Sequence, residues 1–236
     1  MVWDVYRGTR KEPNVYTLTS KIRALARQHD PESVFAGESV TNLEIESNYI
    51  DYTWNWLDYG DFRPYTSVFP APRVAVNIDN SPYVVKICFA DNIYMNIMPQ
   101  KPGGINASAP IDSYPDLSVA LKQCAKLRIQ FLPYFIDGKL IGDCILTRQS
   151  PGTHVSAYVL QDRVLAILLN LHNENRVSLK GELEPWLASN SKKYNVSVYD
   201  VNGILIEEYA SDSRWLDKSR TMEPFELILY EFRPKI

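Results

Sequence analysis

Three carboxylates in the first part of the chain, Glu38, Asp51 and Asp79, stand in or at the ends of short apolar runs. Aromatic and amide side chains accompany them: Trp54 and Trp56 follow Asp51, Asn77 precedes Asp79, and Tyr94 and Asn96 lie in the next run. Aromatic rings offer flat apolar faces on which a ligand can stack, and amides pair with hydroxyls. A carboxyl placed among such rings has its pKa raised toward the range of a general acid. This combination suits a carbohydrate, although it does not specify which sugar. Each member also has a plainer reading. Glu38 would serve in a helix cap or an ion pair, Asp51 would be structural, and Asp79 would cap the helix that Asn80-Ser81-Pro82 introduces. The rings and amides would be packing.

The elements that must position these residues are an amphipathic helix and four short strands. Leu18, Ile22, Leu25 and His29 recur at helical spacing and predict a helix from about Leu18 to Gln28 with that face against a sheet. Thr17 or Thr19 would cap it, and Asp30-Pro31 ends it; residues 1–16 read as a loop. Ser33 to Glu38 then reads as a short buried strand, with Gly37 allowing a sharp turn before the carboxylate. Tyr49 to Trp56 alternates, Arg73 to Asp79 is the clearest strand of this half, a helix follows from Pro82 through Phe89, and Asn92 to Met98 is the fourth strand. In parallel α/β layouts functional groups gather at the C-terminal ends of the strands, where the loops open onto one crevice. The expectation is that all three carboxylates and their companions meet there, beneath two long loops, Leu57 to Pro72 and Gln100 to Ser113.

From Pro115 a broad apolar stripe, Leu117, Ala120, Leu121, Cys124, Leu127, Phe131, Leu132 and Phe135, predicts one more helix, broken by Asp137-Gly138. Beyond it the helical period does not return. Seven short apolar or alternating runs follow, Leu140–Leu146, Val155–Leu160, Val164–Asn170, Val177–Leu179, Val196–Val201, Ile204–Tyr209 and Phe225–Phe232, which suggest an antiparallel β-sandwich. The chain is thus α/β plus all-β, with an α/β domain over residues 1–136 and a sandwich over 137–236.

Composition excludes several function classes. Twenty-five Lys and Arg against 28 Asp and Glu give a net charge of −3 with no basic block, so nucleic acid and anionic membrane lack the footprint they need. No apolar run reaches the ~20 residues of a membrane helix, and the first residues lack the pattern of a secretory signal, so the expected location of the chain as written is cytoplasmic. Three widely spaced cysteines, Cys88, Cys124 and Cys144, argue against a disulfide framework and read as small buried residues. The three histidines and the cysteines show no metal-ligand spacing, so neither a metal nor a cofactor is expected. GxGxxG, GxxxxGK[ST] and GxSxG are absent. The sequons at Asn106 and Asn195 read as chance matches.

Three stretches carry a resemblance: Ile22-Arg23-Ala24-Leu25-Ala26-Arg27 leading through Asp30-Pro31-Glu32-Ser33-Val34-Phe35-Ala36-Gly37-Glu38; Ala120-Leu121-Lys122-Gln123 through Leu132-Pro133-Tyr134-Phe135; and Glu223-Pro224-Phe225-Glu226-Leu227-Ile228-Leu229-Tyr230-Glu231-Phe232. As a layout the chain resembles the C-terminal portion of barrel glycoside hydrolases that carry a β-sandwich after the last barrel helix. The resemblance implies the C-terminal half of a TIM-type (β/α) barrel, a carbohydrate ligand, and a partner chain or missing half completing the barrel. It also implies hydrolysis by a carboxyl pair, ~5–5.5 Å apart for retention or ~6.5–9.5 Å for inversion. Glu38, Asp51 and Asp79 would supply the pair; Trp54, Trp56, Asn77, Tyr94 and Asn96 would hold the sugar. The alternative is a non-catalytic carbohydrate-binding or structural module.

Overall fold

The computed structural model describes residues 2–3, 13–38, 51–55, 73–78, 81–97, 110–171, 176–187, 193–212 and 216–235. The chain forms two compact units, Met1–Ile78 with Ile93–Met98, and Asp79–Asn92 with Pro99–Ile236. The fold is mixed α/β with a large antiparallel sheet and few helices.

In the first unit, strands β1 (Val2–Trp3), β2 (Ala36–Glu38), β3 (Tyr52–Asn55), β4 (Arg73–Ile78) and β5 (Tyr94–Ile97) form one sheet in sequence order. All four pairings are parallel. The first strand corrects the reading of residues 1–16 as a loop. Two residues are too few to show a period, and only pairing with Ala36 and Gly37 makes them a strand. Helix α1 runs over Pro13–His29, five residues longer at its start than the apolar period indicates. Its sheltered positions are Thr19, Ile22, Arg23 and Ala26, whereas Leu18 and Leu25 are 49% and 57% exposed. The helix is therefore rotated from the expected face, and the reason lies in Asp51.

Asp51 does not belong to the alternating strand. It precedes β3, where its backbone N–H donates to the Phe35 carbonyl at 2.8 Å and its carboxylate accepts from the Phe35 N–H at 3.1 Å. Arg23 and Arg27, one helical turn apart on α1, both donate to the same carboxylate, Arg27 at 2.8 Å. Turning these guanidinium groups toward the sheet turns Leu18 and Leu25 away from it.

The second unit holds α2 (Pro82–Ala90), α3 (Pro115–Gln130) and α4 (Leu132–Ile136), with nine strands among the described residues. Six of these, β6 (Lys139–Gly142), β8 (Thr153–Leu160), β9 (Arg163–Asn170), β11 (Lys193–Tyr199), β12 (Leu205–Asp212) and β14 (Leu227–Pro234), form an antiparallel sheet in the order β12-β11-β14-β9-β8-β6. The other three, β7 (Leu146–Gln149), β10 (Arg176–Gly181) and β13 (Leu216–Thr221), form a second antiparallel sheet. The run Leu140–Leu146 is thus two strands separated by a turn, and β13 is an additional strand. The expected single helix to Phe135 is two, because Pro133 cannot continue the hydrogen-bond ladder of α3 and starts a new turn instead.

The central strands β9 and β14 of the large sheet are buried on both faces, which explains why Arg163-Val-Leu-Ala-Ile-Leu-Leu-Asn170 reads as a continuous apolar run. Val155, Ala157, Val164, Ala166, Leu168, Ile228, Tyr230 and Phe232 pack toward the small sheet with Val177, Leu183 and Met222. The opposite parity, including Tyr158, Leu165, Ile167, Leu169, Leu227 and Leu229, is equally buried. On this side Phe135 meets Phe89 at 5.2 Å and Tyr158 at 5.0 Å between ring centroids, and Phe131 meets Tyr199 edge-on at 5.1 Å. Each fully buried Leu or Ile contributes ~1.5–3 kcal/mol, so the helices are held to this sheet mainly by apolar burial.

Candidate functional site

The candidate residues lie in the first unit, and strand register decides which of them come together. Glu38 pairs with Trp54, Trp54 with Ala75, and Ala75 with Tyr94. Glu38, Trp54 and Tyr94 thus occupy one row across β2, β3, β4 and β5. Asn77 pairs with Asn96 two residues further along their strands. Since side chains alternate with a period of two, these five positions fall on one face of the sheet. Glu38 is the last residue of β2, and Asn77 and Asn96 are each one residue short of the end of their strands, whereas Tyr94 is the first residue of β5, so the row is staggered across the sheet. Gly37, immediately before Glu38, pairs with Thr53 on one side and with Trp3 on the other.

Asp51 is a correction. It sits before β3, at the N-terminal end of the sheet, while Glu38 pairs with the third residue of that strand. There its carboxylate accepts from Arg23, Arg27 and the Phe35 N–H, tying α1 to the residues that lead into β2 and β3. Asp79 and Trp56 lie outside the described residues. Among the described residues, Glu38 is therefore the one carboxylate at a C-terminal strand end of the parallel sheet. Tyr94 is 44% exposed, as a stacking face must be. The Val2–Trp3 strand is the element the sequence reading missed, and it brings a further strand end next to that of Glu38.

The second unit contains a polar cluster whose residue types look catalytic. Asp91 ends α2 and is 4% exposed. Its Oδ1 accepts from the Ser156 hydroxyl and stands 2.9 Å from His154 Nε2, which is itself 3.4 Å from Ser156 Oγ. In a nucleophilic triad the imidazole stands between serine and carboxylate. Here serine and imidazole share one carboxylate oxygen through the same ring nitrogen, and Ser156 is fully buried. The cluster anchors the end of α2 to β8. Tyr158, two residues along the same strand, reinforces it by donating to the Ala90 carbonyl. Next to it Asn92, at φ 55°, donates to the Phe135 carbonyl at 3.1 Å and accepts from Arg128 at 2.8 Å. The Arg128 guanidinium lies 5.0 Å from the Phe135 ring centroid.

A second buried centre is Glu231, 2% exposed, which accepts from Tyr134 at 2.9 Å, Tyr199 at 3.4 Å and Arg233 at 2.8 Å. Burial and the adjacent Glu231 charge push the Tyr134 phenol well above its ordinary pKa, so it remains a donor to the carboxylate. This network joins α4, β11 and β14. Of the expected buried cysteines, Cys88 and Cys124 are buried and Cys144 is exposed, a correction explained by its place in the turn between β6 and β7. Among the described residues no group of His, Cys, Asp and Glu has the arrangement of a metal site, and no helix is long and apolar enough to cross a membrane.

No family model matches the sequence, and no curated protein matches it. Solved structures do match by shape. The alpha-amylase of Geobacillus thermoleovorans, solved with acarbose, aligns with a TM-score of 0.64 at 14% identity, covering 94% of this chain and 58% of that one. Eubacterium rectale Amy13B aligns at 0.62 and 10% identity, covering 100% of this chain and 60% of that one. AmyP, solved in complex with maltose, aligns at 0.59 and 9% identity, covering 93% and 62%. These likenesses show a glycoside-hydrolase-like fold. The chain spans about three fifths of the length of the structures it matches.

Proposed function

We propose that this chain is a glycoside-hydrolase-like protein that binds carbohydrate and takes part in cleaving glycosidic bonds. In this reading the five parallel strands form part of a (β/α) barrel, the antiparallel sheets form a β-sandwich after it, and Glu38 is the general acid. The observation that carries it is the register: one carboxylate at the C-terminal end of its strand, with two aromatic positions and two asparagines on the same face of a parallel sheet. A sugar stacked on Trp54 or Tyr94 would be oriented by amide hydrogen bonds from Asn77 and Asn96, leaving the glycosidic oxygen for Glu38 to protonate. The second carboxyl group, nucleophile or base, would come from Asp79, or from Asp4, which follows Trp3 in the sequence. A partner chain would complete the barrel along the open edges β1 and β5, and the cytoplasmic location belongs to the same proposal.

The test is Glu38→Gln on a panel of aryl glycosides, with circular dichroism as the folding control. Loss of a general acid lowers turnover by ~10²–10⁴-fold with the fold intact. Unchanged turnover would remove Glu38 from the mechanism. A second reading, a carbohydrate-binding or structural module without catalysis, is favoured by one observation. With Asp51 held by two arginines, the described strand ends present a single carboxylate, and hydrolysis needs two. Absence of turnover by the unmodified chain on every glycoside would decide for it.

A further inference from the structure

We propose that the ring of Phe225, backed by Tyr83, is a carbohydrate-binding platform on the second compact unit, taking the apolar face of one pyranose unit of an oligosaccharide. The ligand class rests on the glycoside reading above; the platform rests on the geometry of one turn. Glu223, Pro224, Phe225 and Glu226 form a turn in which the Glu226 N–H donates to the Glu223 carbonyl at 3.0 Å. Proline holds the second position and Phe225 the third, with φ 59°. A proline-led turn with positive φ at its third position ordinarily carries Gly or Asn there, because a larger side chain crowds its own backbone. Burial does not compensate for the choice of Phe, since the residue is 41% exposed.

The strained conformation is imposed by its surroundings. The Phe225 N–H donates to the Asn170 carbonyl at 2.8 Å, and Lys86 Nζ donates to the Phe225 carbonyl at 2.7 Å. Asn170 Nδ2 in turn donates to the Met222 and Glu223 carbonyls at 3.3 and 3.2 Å, while the Glu226 carboxylate accepts from the Glu223 N–H at 2.8 Å. A backbone strained against its own residue type and fixed by so many partners points to use of the side chain it displays. That side chain stacks on Tyr83 of α2, ring centroids 5.3 Å apart and planes 26° from parallel. The stacking orders the ring before any ligand arrives, which lowers the entropy cost of binding.

Glu223 is exposed at the first position of the turn, and the Lys86 ammonium lies beside the Phe225 backbone, to whose carbonyl it donates. A small aromatic surface rimmed by hydroxyl partners fits a sugar ring. It is too small for a protein interface, which needs roughly 1,000 Å² of buried surface or more.

The experiment is a titration of the whole chain, followed by two-dimensional NMR, with maltoheptaose, cellohexaose and xylohexaose as probes. Phe225→Gly, Phe225→Asn and Tyr83→Ala are the variants, each with a thermal melt. The expected result is that at least one probe binds the unmodified chain. Phe225→Gly should weaken it by about tenfold, equivalent to ~1.4 kcal/mol, while its melting temperature stays level or rises because glycine accepts the positive φ. A Phe225→Gly chain that melts lower and binds as before would make the ring a packing element and overturn the proposal, as would failure of all three probes to bind. Phe225-dependent binding in a chain that hydrolyses nothing would keep the platform and overturn only the hydrolytic reading.

Discussion

Asp51→Asn keeps the shape of the side chain and removes its charge, which separates a structural clamp from a catalytic carboxyl. The Asp51 carboxylate is 20% exposed and Arg23 19%, so their charge-assisted contact is poorly screened, and such bonds contribute ~1.5–3 kcal/mol. Arg27 is 42% exposed, and that arm adds no more than ~0.5 kcal/mol. The asparagine carbonyl can still accept from the Phe35 N–H. The expected loss is about 2 kcal/mol, which lowers the melting temperature by ~4–8 °C for a chain of this length. Circular dichroism melts of Asp51→Asn, Arg23→Met and the double variant would measure it, with a coupling between the two sites of ~1–2 kcal/mol. Any glycoside turnover should survive once the variant is assayed below its melting point. An Asp51→Asn chain that melts with the parent and loses turnover a hundredfold (~2.7 kcal/mol) would refute the assignment of Asp51 as a clamp.

Two further expectations concern the thiols and the open sheet. Burial pushes the Cys88 and Cys124 thiols up to about 12 from an ordinary value of 9.0. Above pH 9 the unfolded chain therefore releases protons that the folded chain keeps, and stability falls toward pH 12 by up to ~1.4 kcal/mol per pH unit for each thiol. Urea midpoints at pH 8 and 10.5 in the parent and in Cys88→Ala would check this, identical slopes counting against it; at neutral pH only Cys144 should react quickly with a disulfide reagent. The apolar residues Leu18, Leu25 and Val34, 49%, 57% and 65% exposed, together with the edge strands of the described parallel sheet, predict association. Light scattering showing a clean monomer over a broad concentration range would oppose a partner chain.

Much of the fold is legible in the sequence because its elements carry their own period. The helices 82–90 and 115–130 and the buried strands 153–160, 163–170 and 227–234 declare themselves by apolar spacing or by unbroken apolar runs. Strand Leu216–Thr221 does not. Its sequence Leu-Asp-Lys-Ser-Arg-Thr has one apolar residue, and it lies at the edge of the small sheet, where pairing with β10 defines it. The rotation of α1 was hidden for a different reason. Leu18, Ile22, Leu25 and His29 satisfy the helical period, but Arg23 and Arg27, four residues apart, both reach the Asp51 carboxylate, and in that orientation Leu18 and Leu25 are exposed. The signal was present as Arg23 and Arg27 at i, i+4, and its meaning depended on knowing where Asp51 sits.

The candidate site shows where reading a sequence stops. Alternation within a strand says that Asn77 lies on the same face as Ala75, and that Asn96 lies on the same face as Tyr94. It says nothing of the phase between strands, since a slip of one residue sends a whole strand's side chains to the other face. Only the pairings Glu38 with Trp54, Trp54 with Ala75, Ala75 with Tyr94 and Asn77 with Asn96 put all five positions on one face. The same register sets Asp51 apart from Glu38 along the sheet, although the two read alike in sequence. A carboxylate before a strand and one at a strand's last residue are alike in a linear reading, and in a parallel sheet they sit at opposite ends. The proposed general acid Glu38 needs a second carboxyl group, and Asp79 and Asp4 are the residues whose replacement by asparagine is to be tried beside Glu38→Gln.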